Sequence, residues 1–134
     1  PWENDSVFKS TEKAASGRFS LLMKPDQEYG PTVHIKAGDM GLQKDATVMF
    51  SCKVNADSAL ADIKMVFQVK RGEEFVLWRG FDLRPYQRHL GEWFSAYGGY
   101  KIQETVLPDD DVSIYFNNPS KEKVFLDDVR LMIR

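Results

Sequence analysis

Residues 112–134, VSIYFNNPSKEKVFLDDVRLMIR, carry the pattern that decides the fold class. Val112, Ile114 and Phe116 alternate with more polar neighbours, which is the two-residue period of a strand with one buried face. The NNPS segment at 117–120 combines side chains that bond their own backbone with a proline, and it predicts a turn. A second alternating run begins at residue 124. The chain therefore closes with two strands separated by a turn.

Asp127 is the unusual residue of the second strand. Continuous alternation places it on the same face as Phe125 and Val129, among apolar side chains. A carboxylate in such surroundings is costly unless a cation or several hydrogen-bond donors meet it. The sequence leaves the partner open, as a metal ion, Arg18, Arg130 or backbone N–H groups.

The rest of the chain is built from short strands with turns between them. The runs at 46–55 and 63–70 alternate apolar and polar residues, and RGEE at 71–74 separates the second run from a further strand, so 63–83 predicts a β-hairpin. Helical signals are weak, because the best candidate, 55–62, is very short. Other strand candidates lie at 7–10, 19–23, 29–35 and 92–102. Eight or nine short strands indicate a β-sandwich or barrel.

Length, charge and cysteine content limit the classes of protein to which this chain can belong. A chain of 134 residues fits one domain with its own core. The net charge of −2 gives no electrostatic argument for nucleic-acid binding, and no apolar run is long enough to span a membrane. The single cysteine, Cys52, excludes an internal disulfide, and its place in an apolar alternation favours a core position. Because the sequence opens at Pro1 without a methionine, we expect 1–134 to be a single module excised from a larger protein.

Three stretches resemble one family. FLDDVRL at 125–131, preceded by the strand IYFN at 114–117, resembles the close of carbohydrate-binding modules with the galactose-binding-like jelly-roll fold. The pair WE at 2–3 followed by AASGRFSL at 14–21, and the segment 93–108 that runs from a tryptophan to Leu-Pro, are similar to the same family. The resemblance implies an all-β, single-domain antiparallel β-sandwich of jelly-roll type, and a bacterial, secreted or cell-surface parent protein.

The resemblance also implies a structural calcium ion. Its ligands would be the carboxylates of Asp127 and Glu3 together with backbone carbonyls around Ser16 and Arg18. Calcium prefers such oxygen ligands. An ion in this position would neutralise Asp127 and join the two ends of the chain.

Sugar binding in such modules depends on aromatic rings that stack on a pyranose, with polar groups beside them. Tyr115 and Asn117 share the face opposite the apolar set of their strand, which favours them as ligands. The orientation of Trp78 stays open because both faces of its strand are apolar. Each ring has the alternative of a place in the core. The full candidate set is Trp78, Trp93, Tyr97, Tyr100, Tyr115 and Asn117, with Tyr86 as a further ring.

The sequence predicts a binding module, not an enzyme. A glycosidase needs two carboxylates that face each other across the bond to be cleaved. Here the acids at 73–74 and 109–111 fall in turns and are expected to be solvated, and neither His34 nor His89 lies in a nucleophile motif. The sequence therefore predicts a module that binds a polysaccharide and contacts neighbouring domains of its parent. The alternative is a structural or protein-interaction domain with the same fold.

Basic residues also gather in the segment 71–89. The sequence leaves two roles open for this cluster. It binds an anionic saccharide or an acidic partner in the first, and in the second it is a solvated surface whose charge is offset by nearby acids. Its members are Arg71, Arg79, Arg84, Arg88 and His89.

Overall fold

The computed structural model describes residues 9–10, 20–23, 29–119 and 121–134, with side chains from residue 32 onward. These residues form two antiparallel sheets packed face to face. The strands are β1 (Lys9–Ser10), β2 (Ser20–Met23), β3 (Tyr29–Lys36), β4 (Thr47–Asn55), β5 (Lys64–Arg71), β6 (Glu74–Asp82), β7 (Phe94–Lys101), β8 (Asp111–Asn117) and β9 (Val124–Ile133). The five-stranded sheet has the order β1-β2-β9-β4-β7, and the four-stranded sheet has the order β3-β8-β5-β6. The predicted jelly-roll sandwich is confirmed.

Consecutive strands often lie in different sheets, as a jelly roll requires. β5 and β6 form the predicted hairpin, and Gly72, with φ of 61°, provides the left-handed residue of its turn. β8 and β9 belong to opposite sheets, so the segment between them crosses the edge of the sandwich. Buried Asn118 holds that crossing, because its side-chain amide donates to the Glu122 carbonyl at 2.6 Å and its oxygen accepts from the Glu122 N–H at 3.2 Å.

The core lies between the sheets and follows the alternation in the sequence. β4 contributes Val48, Phe50, Cys52 and Val54, and β8 contributes Val112, Ile114 and Phe116. Cys52 is 2% exposed, and burial raises the pKa of its thiol to about 12. Its predicted place in the core is confirmed, and a protonated thiol in this position is a poor nucleophile.

The continuous alternation expected for β9 is wrong. One residue of β4, Cys52, lies opposite two of β9, Asp128 and Val129, because the pairing passes from Ser51 with Arg130 to Lys53 with Asp127. The extra residue makes a β-bulge, in which Asp128 has φ of 49°. The bulge reverses which alternate side chains of β9 point toward the core. Val124 and Leu126 point into the core before it, and Val129, Leu131 and Ile133 pack against the core after it. Asp127 therefore lies with Phe125 and Lys53 on the side away from the sandwich core, and it no longer shares a face with Val129.

Asp110, in the turn before β8, is buried, although the sequence predicted that the acids of this turn are solvated. Asp110 is 2% exposed, and it accepts hydrogen bonds from Arg71 Nε at 2.8 Å, Arg71 Nη2 at 2.9 Å and the Leu107 N–H at 2.8 Å. The Arg71 guanidinium lowers the pKa of the Asp110 carboxyl below its usual value. The contact ties the end of β5 to the turn that leads into β8. Residues 56–62 form a loop and not the short helix considered from the sequence.

Candidate functional site

The outer surface of β7, β4 and β9 carries two adjoining depressions, and we call it the groove face. Its residues lie in rows across the strands, because paired residues of antiparallel strands point to the same side. One row is Tyr97, Ser51 and Arg130, and the row on one side of it is Ser95, Lys53 and Asp127. The row on the other side is Gly99, Met49 and Met132.

Tyr97 is the prominent aromatic of the groove face, with 58% of its surface exposed. Tyr86 braces the strand beneath it, because the Tyr86 hydroxyl donates to the Tyr97 carbonyl at 2.8 Å. The two rings meet edge to face with centroids 6.3 Å apart. Met49 and Met132 are also exposed and add flexible apolar surface next to the ring.

Polar side chains line the other half of the groove face. Lys53 Nζ donates to Ser95 Oγ at 2.6 Å, and the Asp128 N–H donates to Asp127 Oδ1 at 2.8 Å. One depression is lined by Ser51, Lys53, Ser95, Tyr97, Asp128 and Arg130 together with Cys52. The adjoining one shares Ser51, Tyr97 and Arg130 and extends over the two methionines. An exposed ring next to several hydrogen-bonding groups has the chemistry to hold a sugar, since the ring offers a flat apolar face and the polar groups satisfy hydroxyls.

The outer surface of the four-stranded sheet holds a second group of aromatic and polar side chains, the Trp78 face. Trp78 is 45% exposed on edge strand β6, in register with Gln68 of β5. Tyr115 donates its hydroxyl to Gln68 Oε1 at 3.0 Å, and Ser113 Oγ is hydrogen-bonded to His34 Nδ1 at 2.8 Å. The polar groups of this face are thus largely bonded to each other.

The six ligand residues expected from the sequence do not form one row. Trp78, Tyr115 and Asn117 belong to the four-stranded sheet, while Trp93 and Tyr97 belong to the region of β7 in the other sheet. Tyr100 is half-buried toward the core, where its hydroxyl donates to Glu104 Oε1 at 2.9 Å and the Arg79 guanidinium lies 4.5 Å from its ring centroid.

Several groove residues were missed from the sequence. Ser51, Lys53 and Arg130 occupy outward positions of β4 and β9, strands that were assigned from their apolar residues. Met49 and Met132 have the apolar side chains typical of core residues. Their alternation with the core residues was the available signal in β4. In β9 the same signal was available, because Arg130 and Met132 alternate with Val129, Leu131 and Ile133.

The described residues do not by themselves complete a calcium site. Asp127 is half-buried beside β2 and opposite Lys53, and its carboxylate accepts the Asp128 N–H, one of the alternatives left open by the sequence. Glu3, Ser16 and Arg18 lie outside the described residues. No group of three or more His, Cys, Asp or Glu side chains suited to a metal occurs in the described part of the chain. The calcium ion stays a prediction.

Three of the basic residues of 71–89 have separate partners. Arg71 binds Asp110, Arg79 lies over Tyr100, and Arg84 Nη2 donates to Asp82 Oδ2 at 3.4 Å. Arg84 beside Asp82 fits a solvated surface offset by nearby acids, whereas Arg71 binds the buried Asp110.

Comparison with solved structures places the fold. A family 16 carbohydrate binding module matches with a TM-score of 0.62 at 9% identity, covering 92% of this chain and 83% of that chain. The CBM22-1 xylan-binding domain of Xyn10C from Paenibacillus barcinonensis matches with a TM-score of 0.59 at 17% identity, covering 93% and 78%. A cyclase from Fischerella sp. TAU matches with a TM-score of 0.60 at 12% identity, covering 99% and 72%.

These similarities concern the fold. Neither a protein-family model nor a curated protein matches the sequence. The resemblance to carbohydrate-binding modules found in the sequence is confirmed as a shared jelly-roll sandwich. Among the described residues, no helix has the length and apolar character needed to cross a membrane.

Proposed function

We propose that this chain is a non-catalytic carbohydrate-binding module of a larger, secreted or cell-surface bacterial protein, and that it binds a polysaccharide on the groove face. The observation that carries the proposal is the exposed ring of Tyr97 beside the polar row of Ser51 and Arg130. The fold supports it, since the structural neighbours include carbohydrate-binding modules. Fold alone does not assign the function, so the side chains of the face carry the argument.

Binding would combine stacking with hydrogen bonding. A pyranose ring placed on Tyr97 covers apolar surface that is now in water, and its hydroxyls reach Ser51 Oγ and the polar groups of the next row. The edge of the face formed by Met49 and Met132 accommodates the apolar side of a neighbouring sugar. Because the rows cross three strands, the face suits an extended chain of sugars and not one residue alone.

No hydrolysis is expected from this face. Asp127 and Asp128 are adjacent residues of one strand, and they do not face each other across the groove as a glycosidase requires. The module would bring its parent to a glycan and leave the polymer intact.

Titration by NMR with soluble oligosaccharides tests the proposal. The panel should contain xylo-oligosaccharides, because one structural neighbour is a xylan-binding domain. Backbone amides of β4, β7 and β9 near Tyr97 are expected to shift. Tyr97→Ala should weaken binding about tenfold or more, which corresponds to roughly 1.4 kcal/mol of lost contact energy.

Trp78→Ala is the matched control, because it removes another exposed aromatic from the opposite sheet. Binding should survive that change. If Trp78→Ala abolishes binding and Tyr97→Ala does not, the glycan site lies on the Trp78 face. If no oligosaccharide shifts any signal, the module is a structural or protein-interaction domain, and the exposed Phe75 and Trp78 of β6 are then the apolar surface available to a neighbouring domain.

A further inference from the structure

Arg130 brings to the groove face a positive charge that binding of a neutral sugar does not require. It is exposed and lies two residues beyond the bulge residue Asp128, in the row of Ser51 and Tyr97. Within the described part of the chain, its guanidinium forms no ion pair, although it lines the same depression as Asp128. A full positive charge is therefore available next to the exposed aromatic ring.

The cations of the groove face outnumber its carboxylates. Asp127 is paired in register with Lys53, whose ammonium donates to the neutral hydroxyl of Ser95. At the far end of the face, Lys101 and Arg134 lie on either side of Thr47. The outer positions of β7, β4 and β9, together with Arg134 just after β9, thus carry more cations than carboxylates. The four cations are Lys53, Lys101, Arg130 and Arg134, and the two carboxylates are Asp127 and Asp128.

Arginine suits a carboxylate by geometry as well as charge. Its planar guanidinium presents parallel N–H donors that bind both oxygens of a carboxylate. Adjacent strands lie about 4.8 Å apart, so the Cα atoms of Tyr97 and Arg130 are separated by roughly 10 Å, with Ser51 between them. A sugar stacked on Tyr97 leaves Arg130 within reach of a carboxylate on that sugar or on its neighbour.

We propose that the groove face selects acidic polysaccharides, with Arg130 binding the carboxylate of a uronic acid while Tyr97 stacks on the sugar chain. This inference rests on the proposed function, and it names the class of polysaccharide. The proposed site is distinct from the basic cluster at 71–89, for which the sequence left binding of an anionic saccharide open. Several residues of that cluster have other partners.

Matched sugars separate charge from shape. Calorimetric titrations of the full chain should use a xylo-oligosaccharide with one glucuronate branch and an oligogalacturonate, each beside its own carboxyl-reduced form. The acidic form is expected to bind about tenfold tighter than the reduced form at low salt, as befits a charge-assisted bond. Salt at about 0.5 M should shrink that advantage, because screening acts on an exposed pair.

Arg130→Gln should remove the preference for the acidic form, so that the acidic and reduced forms bind with about equal affinity. Arg88→Gln is the control, since it makes the same change in net charge at an exposed residue outside the groove face. Equal affinity for both forms overturns the inference and leaves the proposed function standing. A preference that survives in Arg130→Gln overturns the role of Arg130. If neither these sugars nor the neutral panel bind, the proposed function falls as well.

Discussion

At the scale of single residues, Gly98 and Gly99 differ in how much space a side chain would have on each side of β7. The two glycines are neighbours in β7, but they point to opposite sides of the sheet. A Cβ atom at Gly98 would lie 2.1 Å from Phe50 Cε1 and 2.5 Å from Phe81 Cδ1. A Cβ atom at Gly99 would meet the Val48 carbonyl at 3.5 Å, which is an ordinary contact. Only the inward glycine leaves space that two aromatic rings occupy.

We predict that Gly98→Ala lowers the free energy of unfolding by about 1 to 3 kcal/mol, because the added methyl group must displace packed rings. Gly99→Ala, the matched control, should change it by less than about 1 kcal/mol. Urea denaturation of both variants measures the difference. Equal stabilities would show that the rings of Phe50 and Phe81 move aside at little cost.

At the scale of an element, the β9 bulge decides which residues the groove face displays. Asp128 takes a left-handed backbone conformation, which is disfavoured for most side chains and worst for β-branched ones. The extra residue allows Leu126 and Val129 to point into the core from one strand, and it leaves Asp127 and Arg130 outside. Without it, the second half of β9 would present its apolar residues to water.

We expect Asp128→Val to be less stable than Asp128→Gly by about 1 to 2 kcal/mol. Both changes remove the carboxylate, so the comparison isolates the cost of the positive φ. Thermal and urea unfolding of the pair would measure it. Equal stability of the two variants would mean that β9 adopts another register when residue 128 changes.

At the scale of the whole molecule, the predicted calcium ion concerns how the ends of the chain are joined. β9 lies between β2 and β4, so the last strand already bridges the early and middle parts of the sheet. Calcium bound by Asp127 would strengthen that junction, because a ligand that binds only the native state stabilises it.

We predict that a chelator lowers the melting temperature by several degrees and that added calcium restores it. Asp127→Ala should lower the melting temperature and abolish the response to chelator. Asp109→Ala, which removes an exposed carboxylate in a turn, serves as the control and should keep the response. Identical melting curves of the unmodified chain with calcium and with chelator would contradict the calcium site.

Much of the sandwich was predictable because alternation is a local property of the chain. Val112, Ile114 and Phe116 were assigned correctly to the core, and the β5–β6 hairpin followed from a turn between two alternating runs. The solvation of Asp110 was predicted wrongly, because its partner Arg71 is distant in sequence and reaches it only when β5 and β8 pair. The aromatic candidates were identified by type, but their faces depended on which sheet received each strand.

The sequence by itself determined the strands, the inward side of β4 and β8, the absence of a disulfide within these 134 residues and the sandwich class, because these depend on residue type and a two-residue period. The tertiary structure alone decided that Tyr97, Ser51 and Arg130 form one row, that Trp78 and Tyr115 lie on the opposite sheet, and that Asp127 points outward. Strand pairing brings together residues that are far apart in the chain, and one extra residue at a bulge reverses every side chain that follows.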